Sequence, residues 1–356
     1  MVNLIKLKKF WKNKKVFITG HTGFKGAWLC IFMNLLGAKV YGYSLPPKKK
    51  SLFNQANCKK FLKKNIYANI QNYNFLKNQI VRIRPEIIFH LAAQSLVSKS
   101  FENPLETFNT NIIGTTNILN LVRYQKSIKS VVIITTDKVY DIKKNNKSYD
   151  EEDALGGKDP YSSSKVCTEI IMNSYNETFY KSNFLKNKIS TARSGNVIGG
   201  GDYSENRLVP DIFEAINKNK NLIIRNPDNI RPWQHVIEPL LGYMKLAELQ
   251  FRNKKFNIKK PVWNFGPNKN SFVKVNEIVK YIKSKVKLKT RVHTKQTFFE
   301  TKILKLNSNK AKKYLKWYPV WNLTESIDSV IEWNMLYKKT KNAKKICEDQ
   351  IIKYLK

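Results

Sequence analysis

Apolar residues in this chain gather into short runs, separated by segments with helical spacing. Lys15–Thr19 reads as a short buried strand and Phe24–Leu36 as the helix after it, ended by Gly37. Lys39–Tyr43 gives a second strand and the stretch around Asn65–Ile70 a third. Asn72–Ile83 has helical periodicity, stopped by Pro85, and Glu86–His90 reads as a fourth strand. A long helix is predicted from about Pro104 to Tyr124, followed by a Val- and Ile-rich fifth strand over Ser130–Thr135. Tyr161 opens another long helix reaching about Tyr180, and Ile189–Arg193 is the sixth strand.

Strands that alternate with helices imply a parallel sheet joined by right-handed crossovers, an α/β doubly wound fold of Rossmann type. After Asn196 the pattern loosens. Gly199–Asp202 reads as a flexible loop, Pro210–Asn217 as a helix, Val262–Phe265 as a strand returning to the core, and Val275–Val286 as a helix. The expected organisation is a dinucleotide-binding domain over 14–195 that carries the catalytic residues, and a smaller, interleaved substrate lobe over 196–335. A segment near 236–265 returns from that lobe to the core, and 336–356 is expected to be a basic, exposed helical tail. The chain shows no internal repeat and no long linker.

Cofactors bind beyond the carboxyl ends of such strands, and the chemically suggestive residues fall there. Gly20, Gly23 and Gly26 follow the first strand and open the first long helix as G-x-x-G-x-x-G, a spacing variant of the dinucleotide fingerprint. Missing side chains let backbone approach a pyrophosphate, which the helix amides then face. Thr22, Phe24 and Lys25 share that loop, and Leu91, Ala92 and Ala93 follow the fourth strand. The end of the second strand, Tyr43–Pro46, offers neither carboxylate nor arginine, so Ser44 and Asn69 are the neutral hydrogen-bonding candidates for the adenosine end, with Ile70 beside it. NAD is expected over NADP.

Thr136, Asp137 and Lys138 follow the fifth strand, and Tyr161 and Lys165 stand one helical turn apart. An ammonium below a tyrosine favours tyrosinate, so Tyr161 is the candidate base for a sugar alcohol, Lys165 lowers its pKa, and Thr136 holds the same oxygen. Alcohol oxidation needs only those three. A carboxyl group beside them suggests a second acid/base task, such as loss of a hydroxyl as water.

The length of 356 residues suits one large α/β unit or two joined lobes, and 42% apolar residues suffice for a substantial core. No apolar run reaches the roughly 18 residues of a membrane span, and Met1–Lys15 lacks the apolar stretch of a secretory signal, so a cytoplasmic protein is expected. The formal charge of +39 raises nucleic-acid binding, but the lysines are spread along the whole chain, asparagine and isoleucine are also abundant, and no nucleic-acid module is recognisable. No specific nucleic-acid partner is expected. Cys30, Cys58, Cys167 and Cys347 lack metal-ligand spacing, so no metal is expected either.

Segments Val16–Gly26, His90–Val97, Thr136–Lys138, Asp159–Lys165, Ala192–Asp202, Ile230–Val236 and Trp263–Pro267 together resemble the CDP-glucose 4,6-dehydratases, a family of extended short-chain dehydrogenases/reductases acting on nucleotide sugars. They run in order from about residue 14 to 330. The resemblance implies an internal redox cycle on CDP-glucose. Tyr161 takes the C4 hydroxyl proton as hydride passes to NAD, Asp137 protonates the departing C6 hydroxyl, and hydride returns to C6. Related dTDP-glucose enzymes carry Asp-Glu where this chain has Asp137-Lys138, which implies Lys138 as the C5 base, a role that needs a neutral amine or an intervening water. It further implies Gln94 and Ser95 at the substrate, Arg207 and Arg231 on its diphosphate, Asn196 and His235 orienting it, and a homodimer or homotetramer. Arg193, at a strand end, reads as structural, and Trp233 as either a cover for the substrate or core packing. The alternatives are a dehydratase for another nucleotide sugar, a 4-epimerase, against which Asp137-Lys138 argues, or a non-catalytic dinucleotide-binding scaffold, against which the Thr136/Tyr161/Lys165 set argues.

Dispersed lysines predict only weak, salt-sensitive association with RNA or DNA. Fluorescence anisotropy should detect no sequence preference at physiological salt; sub-micromolar, sequence-dependent binding would contradict this reading of the charge.

Overall fold

In a computed structural model, described for residues 4–142, 147–180, 188–252, 260–292 and 304–356, the alternation builds a seven-stranded sheet. Its strands are β1 (Lys15–Thr19), β2 (Lys39–Ser44), β3 (Lys64–Tyr67), β4 (Ile87–His90), β5 (Ser130–Ile134), β6 (Ile189–Ser194) and β7 (Val262–Phe265). They lie in the spatial order 7-6-5-4-1-2-3, and every neighbouring pair is parallel. The order reverses between β1 and β4, the switch point of a Rossmann-type sheet.

Successive strand residues point to opposite faces, which sorts the apolar side chains into two layers. Val16 and Ile18 of β1, Ile87 and Phe89 of β4, and Val132 and Ile134 of β5 join one core; Phe17, Ile88, Val131 and Ile133 join the other. The first core is closed by Trp28 of helix Phe24–Leu35, Leu240 and Met244 of helix Ile237–Phe251, and Ile346 and Ile351 of helix Ala343–Leu355. Leu76, Ile118 and Met172 close the second, from helices Tyr73–Ile83, Gly114–Val122 and Pro160–Tyr175. A third core, with Ile212, Ile224, Ile278, Ile282 and Val330, belongs to the smaller lobe.

Several elements differ from expectation. The helix predicted over Pro104–Tyr124 runs as Pro104–Phe108, a wide π turn at Asn109–Ile113, and Gly114–Val122. Leu4–Trp11 forms a helix that buries Leu7, Phe10 and Trp11, in a segment whose sequence pattern assigns it no element. Helix Ile237–Phe251 escaped notice because it is buried almost all round and shows no amphipathic stripe. Gly199–Gly201 is packed rather than loose, with the Trp28 Nε1–H donating to the Gly200 carbonyl at 3.0 Å. Among the described residues no helix is long and apolar enough to cross a membrane.

The C-terminal tail is the clearest correction. Helix Leu323–Thr340 ends at Lys341 in a left-handed conformation, and helix Ala343–Leu355 then buries Ala343, Ile346, Cys347, Ile351, Tyr354 and Leu355 in the main core. Gln350 donates to the Ser329 carbonyl at 2.7 Å, and the Tyr354 hydroxyl donates to the buried Glu238 carboxylate at 2.5 Å. Lys345 and Lys353 occupy the solvent side and mask the apolar face in a reading by composition. Ile351→Ala should therefore cost about 2–5 kcal/mol of unfolding free energy in a denaturant titration, whereas an exposed position would change it by under about 0.5 kcal/mol.

Candidate active site

The carboxyl ends of β1, β2, β4, β5 and β6 open onto one cleft of about 660 Å³, walled on its far side by the smaller lobe. The glycine loop forms its near end. Gly20 takes φ +71°, and a Cβ there would sit 2.6 Å from the Ala92 nitrogen; a Cβ on Gly26 would lie 2.2 Å from the Gly20 carbonyl oxygen. Both glycines are thus required by close backbone approach, and Gly23, the residue before helix Phe24–Leu35, supplies no capping side chain. That arrangement fits an anion at the helix start. Thr22, Ser44, Asn69, Ile70, Leu91, Ala92 and Ala93 continue the wall. The Thr22 and Ser44 hydroxyls lie 2.8 Å apart, and the Asn69 carboxamide oxygen accepts from the Gln71 N–H at 2.9 Å.

Phe24 lines the same end, whereas the Lys25 side chain reaches across, its Nζ donating to Ser194 Oγ at 2.8 Å. Burial lowers the Lys25 ammonium to about 7, helped by the Arg207 charge and opposed by Asp137.

Thr136, Asp137 and Lys138 project from the turn after β5 into the middle of the cleft, where Tyr161 and Lys165 meet them from helix Pro160–Tyr175. That helix begins with a reciprocal cap between Asp159 and Ser162 and has Pro160 in its first turn, so Tyr161 sits at its mouth. Burial pushes Tyr161 up to about 12, opposed by the Thr136 side chain and Arg207. Burial brings the Lys165 ammonium itself down to about 8, and its Nζ donates to the Ile134 carbonyl at 3.2 Å. Burial also raises Asp137 above the usual carboxylate range, against the pull of Lys138, its Thr136 hydrogen bond, Arg231 and Lys25. A carboxyl group so raised is suited to give up a proton.

On the substrate side, Ser95, Asn196, Arg207, Arg231 and Trp233 line the cleft, and two expected residues do not. Gln94 is engaged with its own loop: its amide donates to the Leu96 carbonyl at 3.0 Å and to Thr107 Oγ1 at 2.9 Å, and its oxygen accepts from the Leu96 N–H at 2.7 Å. His235 is fully buried between the rings of Trp28 and Trp321, with centroids 5.5 and 4.9 Å away, and burial lowers it to about 3. It packs behind the wall as a neutral ring and does not line the cleft.

Other residues went unrecognised in the sequence. Asn111, in the π turn, donates to Ser164 Oγ at 2.8 Å and to the Gln94 carbonyl at 3.0 Å, joining the loop after β4 to the Tyr161 helix. A polar residue amid a helical apolar pattern was its only signal, and π turns often mark functional positions. Arg225 lines the far end and pairs with Asp211 at 2.8 Å; nothing in its local sequence distinguishes it.

The model of the family described as GDP-mannose 4,6 dehydratase matches residues 17–330. The CDP-glucose 4,6-dehydratase of Salmonella typhimurium is 40% identical over 338 residues, 92% of either chain. Among solved structures, the dTDP-glucose 4,6-dehydratase of Bacillus anthracis, in complex with NAD, superposes with a TM-score of 0.75 at 24% identity, covering 92% of this chain and 97% of that one. The UDP-glucuronic acid 4-epimerase of Bacillus cereus gives a TM-score of 0.76 at 19% identity, covering 90% and 99%. The last two likenesses concern the fold, which dehydratases and epimerases share, whereas the family match spans both the glycine loop and the residues gathered around Tyr161, and the chain belongs to the GDP-mannose 4,6 dehydratase family.

Proposed function

We propose that this protein is an NAD-dependent CDP-glucose 4,6-dehydratase, a hydro-lyase that forms CDP-4-keto-6-deoxy-glucose and water. The observation that carries the reading is Asp137, buried, raised in pKa and set beside Thr136 on the same wall as Tyr161. An oxidation or epimerisation at C4 has no use for a second proton donor there. The 40% identity to the Salmonella enzyme supports CDP-glucose among nucleotide sugars.

Gly20, Gly23 and Gly26 would hold the pyrophosphate of NAD, and Ser44, Asn69 and Ile70 its adenosine end. No cation stands among Tyr43, Ser44, Leu45, Ala68, Asn69 and Ile70 on that wall, which suits a free ribose hydroxyl better than a 2′-phosphate. When bound, NAD supplies the acceptor for the C4 hydride and its return to C6. Tyr161 accepts the C4 hydroxyl proton, Thr136 holds that oxygen, and Lys165 stabilises the tyrosinate. The resulting 4-ketone acidifies the C5 proton, which we assign to Lys138 acting as a neutral amine or through an intervening water, and a proton returns to C5 by the same route as hydride reaches C6. Asp137 gives its proton to the C6 hydroxyl as it leaves as water. Arg207 and Arg231 neutralise the diphosphate, with Ser95 and Asn196 as neutral neighbours.

Tyr161→Phe should fold, bind NAD and lose turnover; near-normal activity would end its assignment as base. Asp137→Asn should cut product formation by about 10²–10⁴-fold. NADH should still form in single turnover and accumulate with a 4-keto sugar that retains its C6 hydroxyl. A mutant that binds both ligands yet forms neither NADH nor product would place Asp137 in the first redox step instead. Incubation with a panel of nucleotide sugars, followed through the enone absorbance of base-treated product, tests the substrate.

Leu105, Ile113 and Ile170 are exposed apolar residues on the helices flanking the cleft, and we assign them to self-association as a homodimer or homotetramer. Sedimentation velocity should show the oligomer, and Leu105→Lys should shift it toward monomer.

A further inference from the structure

Directly beneath Thr136 and Lys165 lies an ion pair that none of these steps uses. Glu169 stands one turn beyond Lys165 on helix Pro160–Tyr175, so Tyr161, Lys165 and Glu169 form one column. Its partner is Arg193 near the end of β6, and both side chains are about 98% shielded from solvent, exposed by only 3% and 2%. Arg193 Nε donates to Glu169 Oε1 at 2.9 Å, and Nη2 donates to Oε2.

Each partner also grips one end of the segment that carries Thr136, Asp137 and Lys138. Thr135, just beyond the end of β5, is buried on the cleft wall, and its hydroxyl donates to Glu169 Oε1 at 2.7 Å. Beyond the turn, Arg193 Nη1 donates to the Tyr140 hydroxyl at 2.7 Å, and its guanidinium lies 4.6 Å from the Tyr140 ring centroid. The Tyr140 hydroxyl in turn donates to Asn264 Oδ1 at 2.8 Å, which fixes the pair to β7.

We propose that the Glu169–Arg193 pair is a positioning clamp that holds the Thr136-Asp137-Lys138 turn in register with Tyr161 and Lys165, and that Glu169 also keeps Lys165 charged. The inference rests on the reading of those five residues as the catalytic set. It joins the redox half of the site, on the helix, to the dehydration half, on the turn.

The groups acting on Lys165 support this division. Burial lowers it to about 8, and Glu169 is the charge that opposes burial. Tyr161 shares its helix; Lys25 faces it from helix Phe24–Leu35 and His90 from β4. Burial lowers His90 to about 3, so it adds no positive charge at neutral pH, and Lys25, lowered to about 7, repels only where it is still protonated, below the Lys165 midpoint. An ammonium with a folded pKa near 8 is charged below that pH and lost above it, so removing Glu169 must move the midpoint to lower pH.

The test follows Lys165 directly by NMR of protein labelled with ¹³C-lysine, its resonance assigned through its absence in Lys165→Arg. This readout needs neither substrate nor turnover. In wild type the resonance should titrate near 8, apart from exposed lysines. Glu169→Gln should lower the midpoint and Glu169→Asp should restore it. Glu169→Gln leaves Arg193 buried without its carboxylate, so the double variant E169Q/R193M, which removes both charges together, is measured beside it and should shift the midpoint in the same direction by a smaller amount. Thr135→Val keeps the ion pair and releases only the turn. It should leave the Lys165 midpoint unmoved and the KM for CDP-glucose unchanged, while kcat falls by roughly 10–100-fold. An unmoved midpoint in either folded Glu169 variant, or wild-type kcat in Thr135→Val, overturns the proposal. Loss of rate with an unmoved midpoint reduces the pair to ordinary structural support and overturns it too. A wild-type protein that shows the midpoint but makes no 4-keto sugar defeats the dehydratase reading instead, and the clamp is then judged on the titration.

Discussion

The parallel sheet is the constraint on which the rest depends. Seven strands running one way place all their carboxyl ends on one edge, and the reversal of order between β1 and β4 parts the loops there. The edge is held in register by buried polar contacts. Thr19 Oγ1 and His90 Nδ1 lie 2.8 Å apart across the β1–β4 pair, the Ala92 N–H donates to Thr19 Oγ1 at 3.2 Å, and His90 Nε2 lies 3.1 Å from Thr115 Oγ1. These contacts fix where the chain leaves each strand. The Gly20 turn and the Ala92 backbone can then approach so closely that no side chain fits between them.

Burial does most of the electrostatic work at that edge. The same loss of water raises Tyr161 and Asp137 and lowers Lys165 and Lys25, in each case favouring the neutral form. The pKa values of Asp137 and the two lysines are thereby drawn toward one another, whereas that of Tyr161 is driven away from Lys165 and from neutrality. Burial by itself disfavours tyrosinate at Tyr161, and the Thr136 hydrogen bond and the Arg207 charge oppose it. A bound oxidised nicotinamide would add a further positive charge on the same side of the balance. Glu169 acts against the trend, and it can do so because Arg193 satisfies the carboxylate in a place water cannot reach.

What could be read from the sequence follows from how local each signal is. Strands β1, β4 and β5 were visible because a strand buried on both faces is a nearly unbroken apolar run, whereas β2, β3 and β6 carry no such run and were read from their place in the alternation; the glycine loop and Tyr161/Lys165 were visible because their spacing is set by one turn or one helix. Asn111 and Glu169 were invisible as site residues because their partners lie 53 and 24 positions away and only the fold brings them together. His235 and Gln94 failed for the opposite reason. Both belong to segments that border the cleft, but alternation and loop closure turn these two side chains inward, against Trp28 and Leu96. The C-terminal helix was misjudged because composition averages over faces, and its lysines lie on one side while Ile346 and Ile351 lie on the other.

The net charge divides in the same way between what is local and what is not. The chain carries +39, yet the walls of the cleft hold six Lys and Arg against five Asp and Glu. The basic excess therefore lies on the outer surface, where fields are screened within about 8 Å at physiological ionic strength. Such a field can hasten the approach of an anionic nucleotide sugar but cannot choose among them. Selectivity has to come from the balanced interior, where Arg225 answers Asp211 and Arg207 answers Asp202. The charges on those walls are set against one another by the fold itself, so the electrostatics of the cleft do not depend on how basic the remainder of the surface becomes.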